Sequence, residues 1–226
     1  MTQLKIISKA LVFFLLVILG TSACTNQSEE VKKLPIIGNV DVVEKVVNGQ
    51  IILDTVYHKV PDFKYINQDS VWVESKDLKN KIWVTDFMFT YCPSICPPMT
   101  TNMKRLNVMT KDLSDHIQFL SFSIDPTRDT PTRLREYMKE YGITANNWLF
   151  FTGDEAATHE LARSFFNGAE KDDEIPGGYG HTPYFSLVDT KGHIRGIYDG
   201  TNSDAIDSLA KDIRYLLKTE YNVVGK

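Results

Sequence analysis

The chain has 226 residues, 42% of them hydrophobic and 24% charged, with a formal charge of −4; this is a globular composition with enough apolar content for one sizeable core. Lys5 and Lys9 are the only charges in the first 23 residues, so without that segment the charge falls by two, from −4 to −6. Such a balance argues against nucleic acid as a partner.

The N-terminus carries a basic stretch, the unbroken apolar run Ala10 to Leu19, and then Gly20-Thr21-Ser22-Ala23-Cys24. Small residues after a short apolar run read as an export signal. About ten apolar residues, against the roughly 20 that span a bilayer, favour a cleaved signal over a permanent helix. The residues before Cys24 resemble a bacterial lipobox, although Thr21 stands where such motifs usually have Leu. Residues 1–23 are therefore expected to be a signal peptide with Cys24 lipidated, an uncleaved signal anchor being the alternative. Either holds the following domain outside the cytoplasm, at a bacterial membrane and facing the periplasm. Residues 24–52 are expected to be a tether, polar and aperiodic from Thr25 to Pro35, and residues 53–220 the domain.

Between Leu53 and Val73, short alternating segments such as Val56–Val60 and Ser70–Val73 suit a small N-terminal β-hairpin. Lys81–Phe89 is a β-rich run, Pro97–Leu113 is helical in pattern, and Ile117–Ile124 is a second strand. Pro131–Tyr141 is a helix with Thr130 as its N-cap. Trp148–Thr152 reads as a strand and Asp154–Phe166 as a helix, followed by a glycine-rich loop. Tyr184–Val188, a turn at Lys191-Gly192, Ile194–Tyr198 and an amphipathic helix from Ser203 to Lys218 complete the chain. This succession predicts an α/β fold with a central mixed sheet flanked by helices, and it resembles a thioredoxin-like fold with an extra N-terminal hairpin.

If Cys24 carries a lipid, the remaining cysteines are Cys92 and Cys96, in Phe89-Thr90-Tyr91-Cys92-Pro93-Ser94-Ile95-Cys96-Pro97. A purely structural disulfide is a weak reading, because closing so short a loop removes little unfolded-state entropy. Both cysteines lie where a strand hands over to a helix, whose free amides and dipole favour a thiolate. Spacing of i, i+4 brings β-carbons to roughly 5–6 Å, which suits two thiolates on one metal and is also within reach of a disulfide. Two thiolates and an imidazole form a soft set suited to Cu(I), able to hold Cu(II) or zinc as well. Of the five histidines, His58, His116, His159 and His193 read as surface or packing residues. His181 follows the flexible Ile175–Gly180 segment and precedes the strand at Tyr184, a loop that a thioredoxin-like topology places beside the cysteines. It is the candidate third ligand.

These residues resemble the Sco/SenC family of copper-handling proteins. The likeness is carried by the Phe89–Pro97 run, by Ser123-Ile124-Asp125-Pro126 with Asp129-Thr130-Pro131, and by Gly180-His181-Thr182-Pro183 leading to Leu187–Gly192. It implies that Cys92, Cys96 and His181 bind copper. It also implies a metallochaperone that assists assembly of the binuclear copper site of cytochrome c oxidase, with the copper-site subunit or a similar acceptor as partner. Asp125, Arg128 and Asp129 read as a strand exit and capped helix start, and Met88, Met99, Met103 and Met109 as core.

Two features keep thiol chemistry open. Asp86 sits six residues before Cys92 in an apolar strand, where an acid is costly to bury alone; thioredoxins have an aspartate at that offset that assists proton transfer. Pro183 stands where such folds place a cis-proline. The alternative is thus a thiol-disulfide reductase acting on a copper-site apoprotein, with Cys92, Cys96 and Asp86 catalytic. The three-residue gap between the cysteines argues for metal, since oxidoreductases of this fold use Cys-x-x-Cys.

Overall fold

The computed structural model describes residues 33–225, so the export segment and Cys24 lie outside the described residues. The part of the expected tether that is described is not featureless. It contains β1 (Val40–Val47) and the start of β2 (Gln50–Tyr57), an antiparallel ribbon of eight paired positions. Asn48 and Gly49 close it with φ of 52° and 77°, the left-handed pair that a tight two-residue hairpin turn requires. Alternating Val and Ile residues supply strand propensity even without a core beneath them.

The hairpin expected between Leu53 and Val73 is present as β3 (Lys64–Asn67) and β4 (Trp72–Glu74), while Val56 and Tyr57 belong to β2. Next come β5 (Ile82–Met88), α1 (Cys96–Met109), β6 (Ile117–Ser123), α2 (Pro131–Glu140), β7 (Trp148–Thr152) and α3 (Glu155–Ser164). The glycine-rich segment forms a small ribbon, β8 (Ala169–Lys171) with β9 (Tyr179–His181), and then β10 (Tyr184–Val188), β11 (Ile194–Asp199) and α4 (Ser203–Tyr221) follow. Seven strands form one sheet in the order β11-β10-β5-β6-β7-β3-β4. The central β5, β6 and β7 are parallel, and the flanking strands are antiparallel to their neighbours. This is the expected thioredoxin-like α/β arrangement.

β5 and β6 are buried at every position, the consequence of helices on both faces of a parallel sheet. Phe87, Phe122 and Phe151 stack through the middle of the sheet. Met88, Met99 and Met103 are buried in the same core. Side-chain caps begin three helices: Thr130 accepts from the Arg133 amide, Asp154 from Ala157, and Asn202 from Asp204 and Ala205. The helix α1 has none, and opens instead on Cys96-Pro97-Pro98. Pro183 provides no cis-proline, because no peptide bond among the described residues is cis. No described helix is long and apolar enough to cross a membrane.

Candidate metal centre

The carboxyl end of β5 delivers the chain to Thr90 and Tyr91, and the loop then turns into α1 so that Cys96 is its first residue. Cys92 and Cys96 are both buried and unbridged. From the other side, β9 brings His181, whose Nε2 lies 3.1 Å from Cys96 Sγ and 3.9 Å from Cys92 Sγ. The three donor atoms all lie within 4.8 Å of one another, and they form the one such group of potential metal ligands among the described residues.

His181 is held rather than loose. Its residue pairs with Ala169 across β8–β9, and Thr182 bonds Asn167 and the Gly168 amide through its hydroxyl. The imidazole Nδ1 donates to the Thr182 carbonyl at 3.2 Å, which aims Nε2 at the two sulfurs. Phe89 meets the ring edge-on, with centroids 5.7 Å apart. The turn between β8 and β9 lies against the cysteine loop: a β-carbon on Gly177, where φ is +99°, would approach the Phe89 ring to 3.0 Å and Pro93 to 3.1 Å. Glycine is required there both for the left-handed backbone and for the close contact.

The two sulfurs are not equivalent. A hydrogen bond from the Cys96 thiol holds Cys92 down to about 3, helped by His181 and by the backbone amides of Cys96 and Ser94 and opposed by burial. Cys96 is pushed up instead, first by its own burial and then by the neighbouring Cys92 charge. The Cys96 thiol and, less strongly, the nearby amides therefore favour the thiolate at Cys92, while burial keeps Cys96 protonated. Together the pair loses one proton readily and gives up the second with difficulty.

Asp86 lies within the core, 2% exposed. Its partner is the Ser121 hydroxyl, which donates at 2.6 Å and itself accepts from the Trp148 indole at 2.9 Å. Burial raises the carboxyl to about 6, against the opposing pull of the Ser121 bond and of His181. Asp129, taken from the sequence as part of a strand exit, reaches into the cysteine loop. Its carboxylate accepts the Thr90 amide at 3.0 Å, the Thr90 hydroxyl at 2.5 Å and the Ser123 hydroxyl at 2.6 Å. Arg133 donates to the same Thr90 hydroxyl, and Arg128 and Arg133 both lie over Tyr91, at 5.2 and 5.3 Å from its ring centre. No local motif marks Arg133; its helical offset of three from the Thr130 cap is the available clue. The other four histidines stay apart: His58 bonds the Ser164 carbonyl, His159 the Ile124 carbonyl, His193 lies beside Asp189, and His116 is exposed before β6.

A family model described as SCO1/SenC matches residues 54–218, more than half of the chain. The chain belongs to the SCO1/SenC family. Among solved SCO1/SenC relatives, a family lipoprotein from Bacillus anthracis is 33% identical, covering 70% of this chain and 94% of that one with a TM-score of 0.65. BsSco, a member of the Sco family of cytochrome c oxidase assembly proteins in which a disulfide switch was identified, is 31% identical; the match covers 72% and 95% of the two chains at a TM-score of 0.64. A copper-bound ScoI from Arabidopsis thaliana is 25% identical, covering 68% and 98% at a TM-score of 0.58.

Proposed function

We propose that this SCO1/SenC protein is an extracytoplasmic copper metallochaperone. In this reading it is held at a bacterial membrane by its N-terminal segment, with Cys24 lipidated, and faces the periplasm. It passes copper to the binuclear copper site of cytochrome c oxidase or a similar acceptor. The observation that carries this function is the convergence of Cys92 Sγ, Cys96 Sγ and His181 Nε2 within 4.8 Å. Two sulfurs and one imidazole are soft donors too few to satisfy zinc's usual four, and they suit copper. Here copper is cargo. Cys92, already ionised, receives it, Cys96 gives up its proton as it joins, and His181 supplies the third donor without rearrangement of the β8–β9 ribbon. Exposed Tyr91, Pro93 and Ser94 leave the loop open to the incoming thiols of an acceptor. Oxidation of the pair to a disulfide removes two of the three donors, so redox state gates loading.

Anaerobic copper titration of the reduced protein tests this directly. Retention of one copper per chain is expected, abolished by Cys92→Ser and weakened at least 10-fold or so by His181→Ala, since even supporting residues around a metal are worth about 10–100-fold. Unchanged affinity in the His181 variant removes that residue from the site.

Buried Asp86 favours a second reading, a thiol-disulfide reductase acting on the cysteines of a copper-site apoprotein. That activity would turn over a disulfide substrate without copper and slow in Asp86→Asn.

A further inference from the structure

The β1–β2 ribbon forms a sheet of its own and takes no part in the metal centre. Every residue of β1 is exposed, and so is every residue of β2 but Asp54. Its register sorts the side chains into two unlike faces. Val40, Val42, Val46, Ile51 and Leu53 share one face, joined by Thr55, by Glu44 opposite Leu53 and, where the ribbon meets the fold, by Tyr57, whose ring packs on His193; Asp41, Lys45, Gln50 and Asp54 lie on the other among the remaining aliphatics. The apolar face is the barer of the two, with Val46 73% and Leu53 72% exposed. An exposed contiguous apolar strip of this kind marks a contact surface.

We propose that this face rests on the lipid bilayer, at the level of the headgroups, as a second membrane contact beside the N-terminal anchor. The proposal builds on the anchor reading above. Chain length supports it: 15 residues separate Cys24 from Val40, which at full extension span about 50 Å, so the ribbon never leaves reach of the surface that holds Cys24. Area argues against a second copy as the occupant. Eight residues line this face, well short of the roughly 20–30 residues a side of a stable protein interface. A supplementary lipid contact needs no such area, because the anchor already supplies the local concentration.

The depth follows from the backbone. The ribbon has two strands only, so among the described residues the outer edges of both carry backbone groups with no strand partner; hydrocarbon cannot satisfy these, and the ribbon lies in the interface and does not span. Glu44 on the apolar face sets the same limit. With Asp41, Glu44 and Asp54 against Lys45, the ribbon is acidic, so its attachment is apolar and indifferent to salt rather than drawn to anionic lipid.

The test uses the full-length chain, extracted from membranes and reconstituted in phosphatidylcholine vesicles whose lipids are brominated near the top of the acyl chain. Val46→Trp on the apolar face should show quenching above that of the parent's own tryptophans, and Gln50→Trp on the polar face should not. Adding Glu44→Gln to Val46→Trp should deepen the quenching. The near-ultraviolet dichroism of buried Trp83 and Trp148 verifies that each variant is folded. Absent quenching at position 46, or equal quenching at both positions, overturns the proposal. A blue-shifted position-46 emission that bromine leaves untouched and that grows with protein concentration overturns it in favour of a second copy. Flotation of the parent chain reads the anchor separately: floating without quenching sinks only the ribbon contact, and a chain that does not float sinks both.

Discussion

Asp86 is an acid in the middle of a strand whose other residues are buried and largely apolar, and its single hydroxyl partner does not compensate for lost water. Its carboxyl titrates near 6 in the folded protein against 3.8 for an ordinary aspartate. The sign follows from proton linkage: between those values the folded state holds more protons at this site than the unfolded one, so the contribution of Asp86 to stability is greatest below pH 3.8 and falls as pH rises through 6. The loss corresponds to about 3 kcal/mol. Asp86→Asn, which keeps an acceptor for Ser121, is expected to raise the melting temperature of the reduced, copper-free protein at pH 7–8. That gain should shrink toward zero near pH 4, as read by thermal melts across the range. A core that retains such an acid beneath its cysteines gives up stability there, as functional sites commonly do.

The element that shapes the centre is the loop from Thr90 to Ile95, and its form is dictated from outside. Backbone bonds within the loop are few, the Cys92 amide to the Phe89 carbonyl being one, and α1 begins without a side-chain cap. Asp129, at the far end of the neighbouring strand–helix connection, fixes Thr90 by two bonds and Ser123 by a third. Asp129→Ala leaves three donors around a buried void. It is expected to lower stability by about 2–4 kcal/mol in urea denaturation, each orphaned group costing on the order of 1–3 kcal/mol. Asp129→Asn should recover part of that, since its amide oxygen can still accept from Thr90. On the opposite wall, the β8–β9 ribbon holds His181 through pairing and through Thr182, so its Nε2 is preset toward the two sulfurs.

At the scale of the molecule, Arg195 ties the first described residues to the last helix. It is 4% exposed on β11 and pairs with Asp189 and Glu220. It also donates to the carbonyls of Leu34 at 2.6 Å and Pro35 at 3.1 Å. Where the chain meets the fold is thereby fixed beside α4, with the β1–β2 ribbon following directly. Removing one partner of a buried ionic cluster strands the others, a loss of about 3–5 kcal/mol. Arg195→Ala is therefore expected to lower the melting temperature by roughly 10 °C in calorimetry. Lys at this position should rescue poorly, because an ammonium cannot present the guanidinium fork to two carboxylates and two carbonyls.

The sequence by itself determined the elements with strong periodicity: the all-apolar β5 and β6, the capped α2 and the amphipathic α4 are legible because burial repeats at fixed spacing. It also determined the ligand candidates, since Cys92 and Cys96 are local and the residues around His181 resemble a known family. Tertiary structure decided what depends on residues far apart in the chain. The segment from Ile175 to Gly180 looks flexible in isolation, and it folds as part of a ribbon because Gly177 packs on Phe89 and Arg128 bonds the Gly177 carbonyl. Asp129 gives no sign in sequence that it serves a loop 39 residues away. The stretch from Val40 to Tyr57 likewise has no core to announce it. Its two faces emerge only from the register of one strand against the other, because a one-residue shift would exchange every side chain between them.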